Sequence, residues 1–401
     1  MKGERWLMMK KAVILLMVLA VGISGVFSCR KADPVGSYKI GILVSQTGNY
    51  AGLGMQSLEG IQLITDVVNE AGGVSGRPLE LVVYDDKSEV TEVALAAKKL
   101  ADVDQVIAIL EGTVTQMANG MIPVANELQV PAAGISGTAL FDDQLGEWFF
   151  RPMGSEVDYA FLILEYMSQD LGISKYAALL ENSGYGQGGK VFLPQLNPAY
   201  NLTITEEQYF DPGAADLTPQ LANIKDSDAE AILVWGSSPT ASMAIKQIKE
   251  LDISLPILTT PAQAAPNMVQ SFGEFYEIEP SVVSTTSKID VWQQLPDDDS
   301  DKDGLREYAE LSESAYGQPP STWNVLGAQM VLFLVDGLER STPDPSDIQK
   351  ARSELRLALE NTTDLDLLSG NYTMSSGDHY GCNRQKLILV TYQDGRLVYL
   401  P

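Results

Sequence analysis

The run Gly184-Tyr185-Gly186-Gln187-Gly188-Gly189-Lys190 first suggests nucleotide chemistry. Gly184, Gly186 and Gly189 fit the dinucleotide fingerprint, and Gly184 to Lys190 nearly makes a phosphate loop. Both lack a needed partner. A phosphate loop places Ser or Thr after its Lys to hold magnesium, and Val191 stands there. A dinucleotide site uses an acid about 20 residues on to grip ribose, but Asp211 falls past the next expected strand, beside Pro212. Asp299-Ser300-Asp301-Lys302-Asp303-Gly304 with Glu310 has the ligand spacing of an EF-hand calcium loop. No incoming helix is evident and Arg306 takes an apolar position, so a solvated acidic helix start is expected and no metal is assigned. His379 is the only histidine, too little for a zinc site or a Ser-His-Asp set. The reading assigns no cofactor and no catalytic residue: a binding protein rather than an enzyme.

Small polar loops remain. They are Gly112 to Gln116, Ile135-Ser136-Gly137-Thr138 and Gly236-Ser237-Ser238. Glycine lets backbone approach a ligand, and hydroxyls add donors. Thr113 precedes a helix expected from Gln116, whose first amides attract anions. Turn and cap roles are the alternative for these hydroxyls.

Each loop follows an expected strand. Strands are expected at Tyr38–Val44, Pro78–Tyr84, Val106–Leu110 and Val130–Gly134, with helices at Met55–Glu70, Glu89–Leu100 and Gln116–Leu128. The rhythm restarts after Arg151–Ser155. Strands follow at Lys175–Leu180, Leu202–Gln208, Ala229–Trp235 and Pro256–Thr259, between helices at Tyr159–Leu171, Gly188–Gln195, Thr218–Ile224 and Thr240–Leu251. Such alternation gives parallel sheets covered on both faces. The fold class is α/β, with two doubly wound lobes and ligands bound outside the carboxyl ends of strands. Val282–Thr286 is expected as a strand returning to the first lobe. Helices at Leu305–Ala315, Trp323–Leu338 and Asp347–Glu360 lead to a hairpin, Lys386–Val390 and Arg396–Leu400, turning at Asp394-Gly395.

The 401 residues suit two domains. With 53 acidic and 27 basic residues the net charge is −26, which repels phosphate backbones and excludes nucleic acid as a partner. Lys2, Arg5, Lys10 and Lys11 precede an apolar run from Ala12 to Phe27, short for a membrane span and suited to a signal peptide. It ends in Val26-Phe27-Ser28-Cys29, which resembles a bacterial lipoprotein signal. Residues 1–28 would be removed, Cys29 would carry lipid that anchors the protein to a membrane, and residues 29–37 would be a tether. A plain secretory signal and a signal anchor are the alternatives. Lipid on Cys29 leaves Cys382 without a disulfide partner.

The chain resembles the periplasmic leucine/isoleucine/valine-binding proteins. The resemblance rests on Ile40-Gly41-Ile42-Leu43 with Thr47-Gly48 and Gly54, then Asn69-Glu70-Ala71-Gly72-Gly73-Val74 with Gly76, and Tyr84-Asp85-Asp86. Gly112–Gln116, Gly134–Thr138, Glu181–Gly188 and Gly370–Gly381 continue it in order. It implies a periplasmic binding protein type I fold, two lobes joined by three crossover strands. Lobe one is expected at 38–153 and 284–373, lobe two at 154–283 and 374–401. The implied function is capture of a small polar solute, an amino acid or relative, by hinge closure for an ABC-type permease in the membrane. A ligand-sensing subunit is the alternative. The resemblance implies that Ser136, Gly137 and Thr138, with Thr113, hold a ligand carboxylate and that Tyr185 covers it from lobe two. Tyr50 and Leu53 would wall the site from lobe one, and Gly236, Ser237 and Ser238 would face it from lobe two. The family's acid for the ligand ammonium is replaced by Thr260-Pro261-Ala262-Gln263. A buried ammonium without a carboxylate is costly, which tells against an α-amino acid. Glu111 is the possible substitute, but it is expected to be solvated.

Overall fold

The computed structural model describes residues 36–137 and 145–401. The readings of the signal peptide, the lipid on Cys29 and the ligand contact of Thr138 lie outside the described residues.

The first sheet holds β1 (Tyr38–Val44), β2 (Leu79–Asp85), β3 (Ala108–Glu111), β4 (Ala132–Gly134) and β5 (Phe149–Phe150). Its order is β2-β1-β3-β4-β5, with every pairing parallel. Only Lys39 of β1 is exposed. The strands read as unbroken apolar runs because α1 (Ala51–Glu70), α2 (Val90–Asp102) and α3 (Thr115–Leu128) supply cover for a parallel sheet. Helix α1 starts four residues before its expected start, over Gly52 and Gly54, which weak helix propensity had masked. Gly54 is required there: a Cβ would sit 2.3 Å from the Ser45 carbonyl oxygen.

The second sheet is fed by α4 (Glu156–Glu165), β6 (Lys175–Glu181), α5 (Gly184–Leu196), β7 (Thr203–Phe210), α6 (Thr218–Asp226), β8 (Ala231–Trp235), α7 (Pro239–Glu250), β9 (Ile257–Thr259), α8 (Pro266–Tyr276) and β10 (Val283–Ser287). After α9 (Lys302–Tyr316), α10 (Thr322–Ser341) and α11 (Ile348–Glu360), three short strands, β11 (Leu365–Asp366), β12 (Gly370–Tyr372) and β13 (Cys382–Gln385), form an antiparallel sheet of their own. The hairpin β14 (Leu387–Gln393) and β15 (Arg396–Leu400) completes the second sheet in the order β15-β14-β10-β9-β8-β6-β7. It is parallel from β7 to β10 and antiparallel at β14 and β15.

Strand β10 corrects the expectation of a return to the first sheet. It pairs with β9 on one side and β14 on the other. Without it, β9 would carry an unpaired backbone edge in the interior. The Ser284 hydroxyl adds a bond to the Thr260 carbonyl, 2.8 Å away. The small sheet β11–β13 was not foreseen, because strands of two to four residues carry no readable alternation.

Helices α1 and α10 cross within the first lobe on paired glycines. A Cβ on Gly60 would lie 1.9 Å from the Asn324 carbonyl oxygen, and one on Gly327 would lie 2.1 Å from that of Ser57. Both obstacles are backbone, so neither can rotate aside. Gly60→Ala is therefore expected to destabilise by about 3 kcal/mol or more, the upper range for overpacking. Chemical denaturation checks this; an unchanged midpoint would show that the helices can separate freely.

Ala262, Ala265 and Met268, from the second half of the chain, pack in the same apolar core as Ile42, Leu110 and Phe333. The two lobes are closed on each other.

Candidate functional site

Between the lobes, at the carboxyl ends of the strands, lies a small cavity. Its lobe-one wall includes Val114, Thr115, Ile135, Gly137, Thr322 and Trp323. From lobe two come Tyr159, Tyr185, Ser237, Thr260, Pro261 and Ala262. The cavity has a volume of ≈ 40 Å³, room for only a few waters. A larger hollow of ≈ 660 Å³ runs along the outer edge at Leu202–Glu207, but it is open to solvent and remote from the strand ends.

Four helices begin at the cavity. Val114 and Thr115 open α3, Tyr185 lies in the first turn of α5, Ser237 precedes the start of α7, and Thr322 and Trp323 open α10. Two of these helix starts already hold carboxylates. Glu181, buried at the end of β6, accepts from the amides of Ser237 (3.2 Å) and Ser238 (2.8 Å) at α7. Asp290 accepts from the amide (2.9 Å) and hydroxyl (2.6 Å) of Thr322 at α10, and from the Thr286 hydroxyl. Helix N-termini favour such anions.

The structure brings part of the expected set together. Tyr185 stacks on Trp235, centroids 5.5 Å apart and planes at 10°. Its Cε2 lies 3.1 Å from where a Cβ on Gly137 would be, so any side chain there would press on the ring across the lobes. The Tyr185 hydroxyl is buried near the Thr260 side chain but makes no well-formed hydrogen bond, and burial pushes its pKa up. The Gly137 amide donates to Thr115 Oγ1 at 3.0 Å. Ser237 lines the cavity, and its hydroxyl lies 3.4 Å from Glu181 Oε1. Tyr50 reaches the same Oε1 from lobe one, at 3.5 Å.

Other expected residues stand behind the wall. The Thr113 hydroxyl turns inward, accepting from the Ser45 amide (2.9 Å) and donating to Asp86 Oδ2 (3.5 Å). The Thr113 carbonyl accepts from Trp323 Nε1 (3.0 Å), which orients that indole. The Ser136 hydroxyl donates to Asn119 Oδ1 at 3.3 Å. Neither side chain lines the cavity. Gly236 does not line it either; its carbonyl accepts from Thr260, and a Cβ there would press on Glu181 and Phe210 at 2.9 Å. Leu53 is core.

The glycine run is explained by packing. A Cβ on Gly186 would meet the Glu181 carbonyl at 1.8 Å, and one on Gly189 would meet Trp235 at 2.9 Å. Ser183 caps this helix through the Gly186 amide.

Three acids correct the sequence reading. Glu111 is fully buried rather than solvated; burial first, and the nearby Asp86 second, push its pKa well up. Asp301 is buried too, and the acids of the calcium-like loop face cations. Lys288 meets Asp299 (2.6 Å) and Asp301 (2.9 Å), while Arg384 (2.7 Å) and Lys386 (3.4 Å) reach Asp301 from the last crossover. Among the described residues no group of three His, Cys, Asp or Glu side chains is placed to hold a metal. Glu181 was missed, although an acid ending a strand before Asn-Ser-Gly was its visible signal. His379 is structural, stacked on Phe150 at 4.2 Å and bonded through Nδ1 to the Phe149 carbonyl.

Asp290 is expected to make the stability of the segment after β10 depend on pH. Burial raises its pKa to about 6, against lowering by the Thr286 and Thr322 bonds. A raised folded value means that the proton binds the folded state more tightly. The stability this contributes is complete below the unfolded value of roughly 3.9 and is lost as pH rises through about 6. Its size is about 1–2 kcal/mol after allowance for partial exposure. Melting curves should show wild type gaining on Asp290→Asn as pH falls from 7 to 5; parallel profiles would refute this.

The family model described as periplasmic binding protein matches residues 37–396. An amino acid binding protein of Pseudomonas aeruginosa is 26% identical over 248 residues, 58% of this chain and 62% of that protein. A Leu/Ile/Val-binding protein homolog of Brucella abortus is 22% identical over 90% of each chain. An extracellular ligand-binding receptor from Rhodopseudomonas palustris superposes with a TM-score of 0.82 at 19% identity, over 91% of this chain and 99% of its own. A solute-binding protein of an R. palustris ABC transporter, in complex with benzoate, superposes at 0.74 with 18% identity, over 91% and 96%. With its two sheets, its crossovers and its interlobe cavity, the chain belongs to the periplasmic binding protein family.

Proposed function

We propose that the protein is the solute-binding receptor of an ABC-type importer and captures a small polar molecule by closing its lobes. The observation that carries this is the cavity itself: helix starts and aromatic rings from both lobes meet there, so a solute within it would touch both and favour closure. The names and ligands of the relatives support a small organic solute. The family is a solute-binding class, and the receptor reading needs no catalysis. We take lobe one as 38–153 and 288–385 and lobe two as 154–287 and 386–401, a division supported by the place of β10 in the second sheet and by the packing of Leu367, Tyr372 and Met374 in the first core. Cys29 carries the lipid that holds the receptor beside its permease, and Cys29→Ala should move the protein to the soluble fraction.

A thermal-shift screen across amino acids, amides and small aromatic acids tests the reading, because a ligand of the folded state raises Tm by mass action. Binding solutes should also compact the protein in solution scattering and stimulate the ATPase of the reconstituted permease. A screen without any stabilising solute would count against a receptor. Binding and compaction without ATPase stimulation would favour the sensor subunit.

A further inference from the structure

The polarity of the cavity narrows the ligand class. Among the described residues that line it there is no carboxylate and no cation. The lining combines apolar side chains, such as Val114, Ile135, Met153 and Leu326, with three aromatic rings and a few hydroxyls. Two ring orientations are held in advance, Tyr185 by its Trp235 stack and Trp323 by its bond to the Thr113 carbonyl.

The cavity face offers donors to a ligand: free helix amides and a hydroxyl. Helix α3 starts at the cavity with no side-chain cap. Tyr185 lines the same space and is 8% exposed, and its hydroxyl makes no well-formed hydrogen bond although the Thr260 side chain is near. The Ser238 hydroxyl and Gln263 Nε2 are also buried and unpartnered, but like Glu111 they do not line the cavity. Gln263 Oε1, the acceptor end, is occupied by the hydroxyls of Thr259 (2.8 Å) and Thr260 (3.0 Å). Of the nearby acids, Glu181 is turned to α7 and Asp290 to α10, and the buried Glu156, whose charge acts on Tyr185 and Tyr159, does not line the cavity. Glu111 keeps one oxygen unpartnered, but it faces Asp86 and does not line the cavity. Such a site suits a ligand that only accepts hydrogen bonds at its head and is apolar elsewhere. An ammonium would lose its water here and meet donors in return.

Resting on the receptor reading, we propose that the solute is a small carboxylate with an apolar or aromatic body and no amino group. Its carboxylate takes the start of α3 and the Tyr185 hydroxyl; its body lies against Trp323, Leu326 and Pro261.

Matched pairs test this by calorimetric titration of the full chain. Leucine is set against 4-methylpentanoate and 4-methyl-2-oxopentanoate, phenylalanine against 3-phenylpropanoate, and phenylglycine against phenylacetate, with benzoate added. In at least one pair the amine-free acid should bind at least about tenfold tighter than its amino acid, a difference of roughly 1.4 kcal/mol. An amino acid that binds as tightly as its partner, or tighter, overturns the class while the receptor reading stands. Silence across every pair also overturns the class, and the wider solute screen then decides the receptor reading separately.

Discussion

Tyr185→Phe is expected to weaken solute binding by about tenfold or more while the free protein melts no lower than wild type. Both halves follow from one atom. The hydroxyl is buried without a well-formed hydrogen bond in the closed cavity, so its removal leaves nothing unsatisfied in the free protein. A hydrogen bond from it to a charged ligand group is worth roughly 1.5–3 kcal/mol, and roughly 1.4 kcal/mol is a factor of ten. Tyr185→Ala is a different experiment. The ring packs against Trp235 in the lobe-two core, a place that the loop-like sequence around it did not disclose. Its removal should cost about 3 kcal/mol of stability as well as affinity. Titration with the tightest solute of the matched pairs, beside melting curves, separates the effects. Equal affinity of Tyr185→Phe and wild type would remove the hydroxyl from the site.

Asp301→Ala is expected to destabilise the fold by about 3–5 kcal/mol, the loss typical when one partner of a buried ion cluster is removed. Asp301 has a side-chain exposure of 3% and ties Lys288, which follows β10, to Arg384 and Lys386, which precede β14. Two of the three crossings between lobes thus meet on one carboxylate. The substitution leaves Lys288 and Lys386, 17% and 7% exposed, without that charge. Burial alone would raise the Asp301 pKa, but the bonds from Lys288 and Arg384 and the charges of Lys386 and Lys288 lower it overall. A depressed carboxylate contributes stability above its unfolded value of roughly 3.9 and loses it as pH falls through the folded value. The gap between wild type and Asp301→Asn should therefore be widest near neutrality and close below about pH 4. Denaturant midpoints against pH measure it. A Tm increase of several degrees on adding calcium, abolished in Asp301→Ala, would instead make this loop a metal site.

Local order was legible in the chain. Unbroken apolar strands at Ile40–Val44 and Ala231–Trp235, each followed by a helix, require parallel sheets with covered faces. Ser237 and Tyr185, just past strands, had to come near the ligand end of such sheets. The fate of individual polar groups was not legible, because it depends on partners far away in sequence. Thr113 and Ser136 occupy the expected loops, yet Asp86 and Asn119 draw their hydroxyls away from the cavity. Glu111 and Glu181 both end strands, and only the tertiary structure places one beside Asp86 and the other across the helix start at Ser237. Asp299 and Asp301 have the spacing of a calcium loop, and three cations from two crossovers claim them. Sequence periodicity sets which face of an element is buried. Which donor or cation meets a given oxygen is decided only when remote segments pack together.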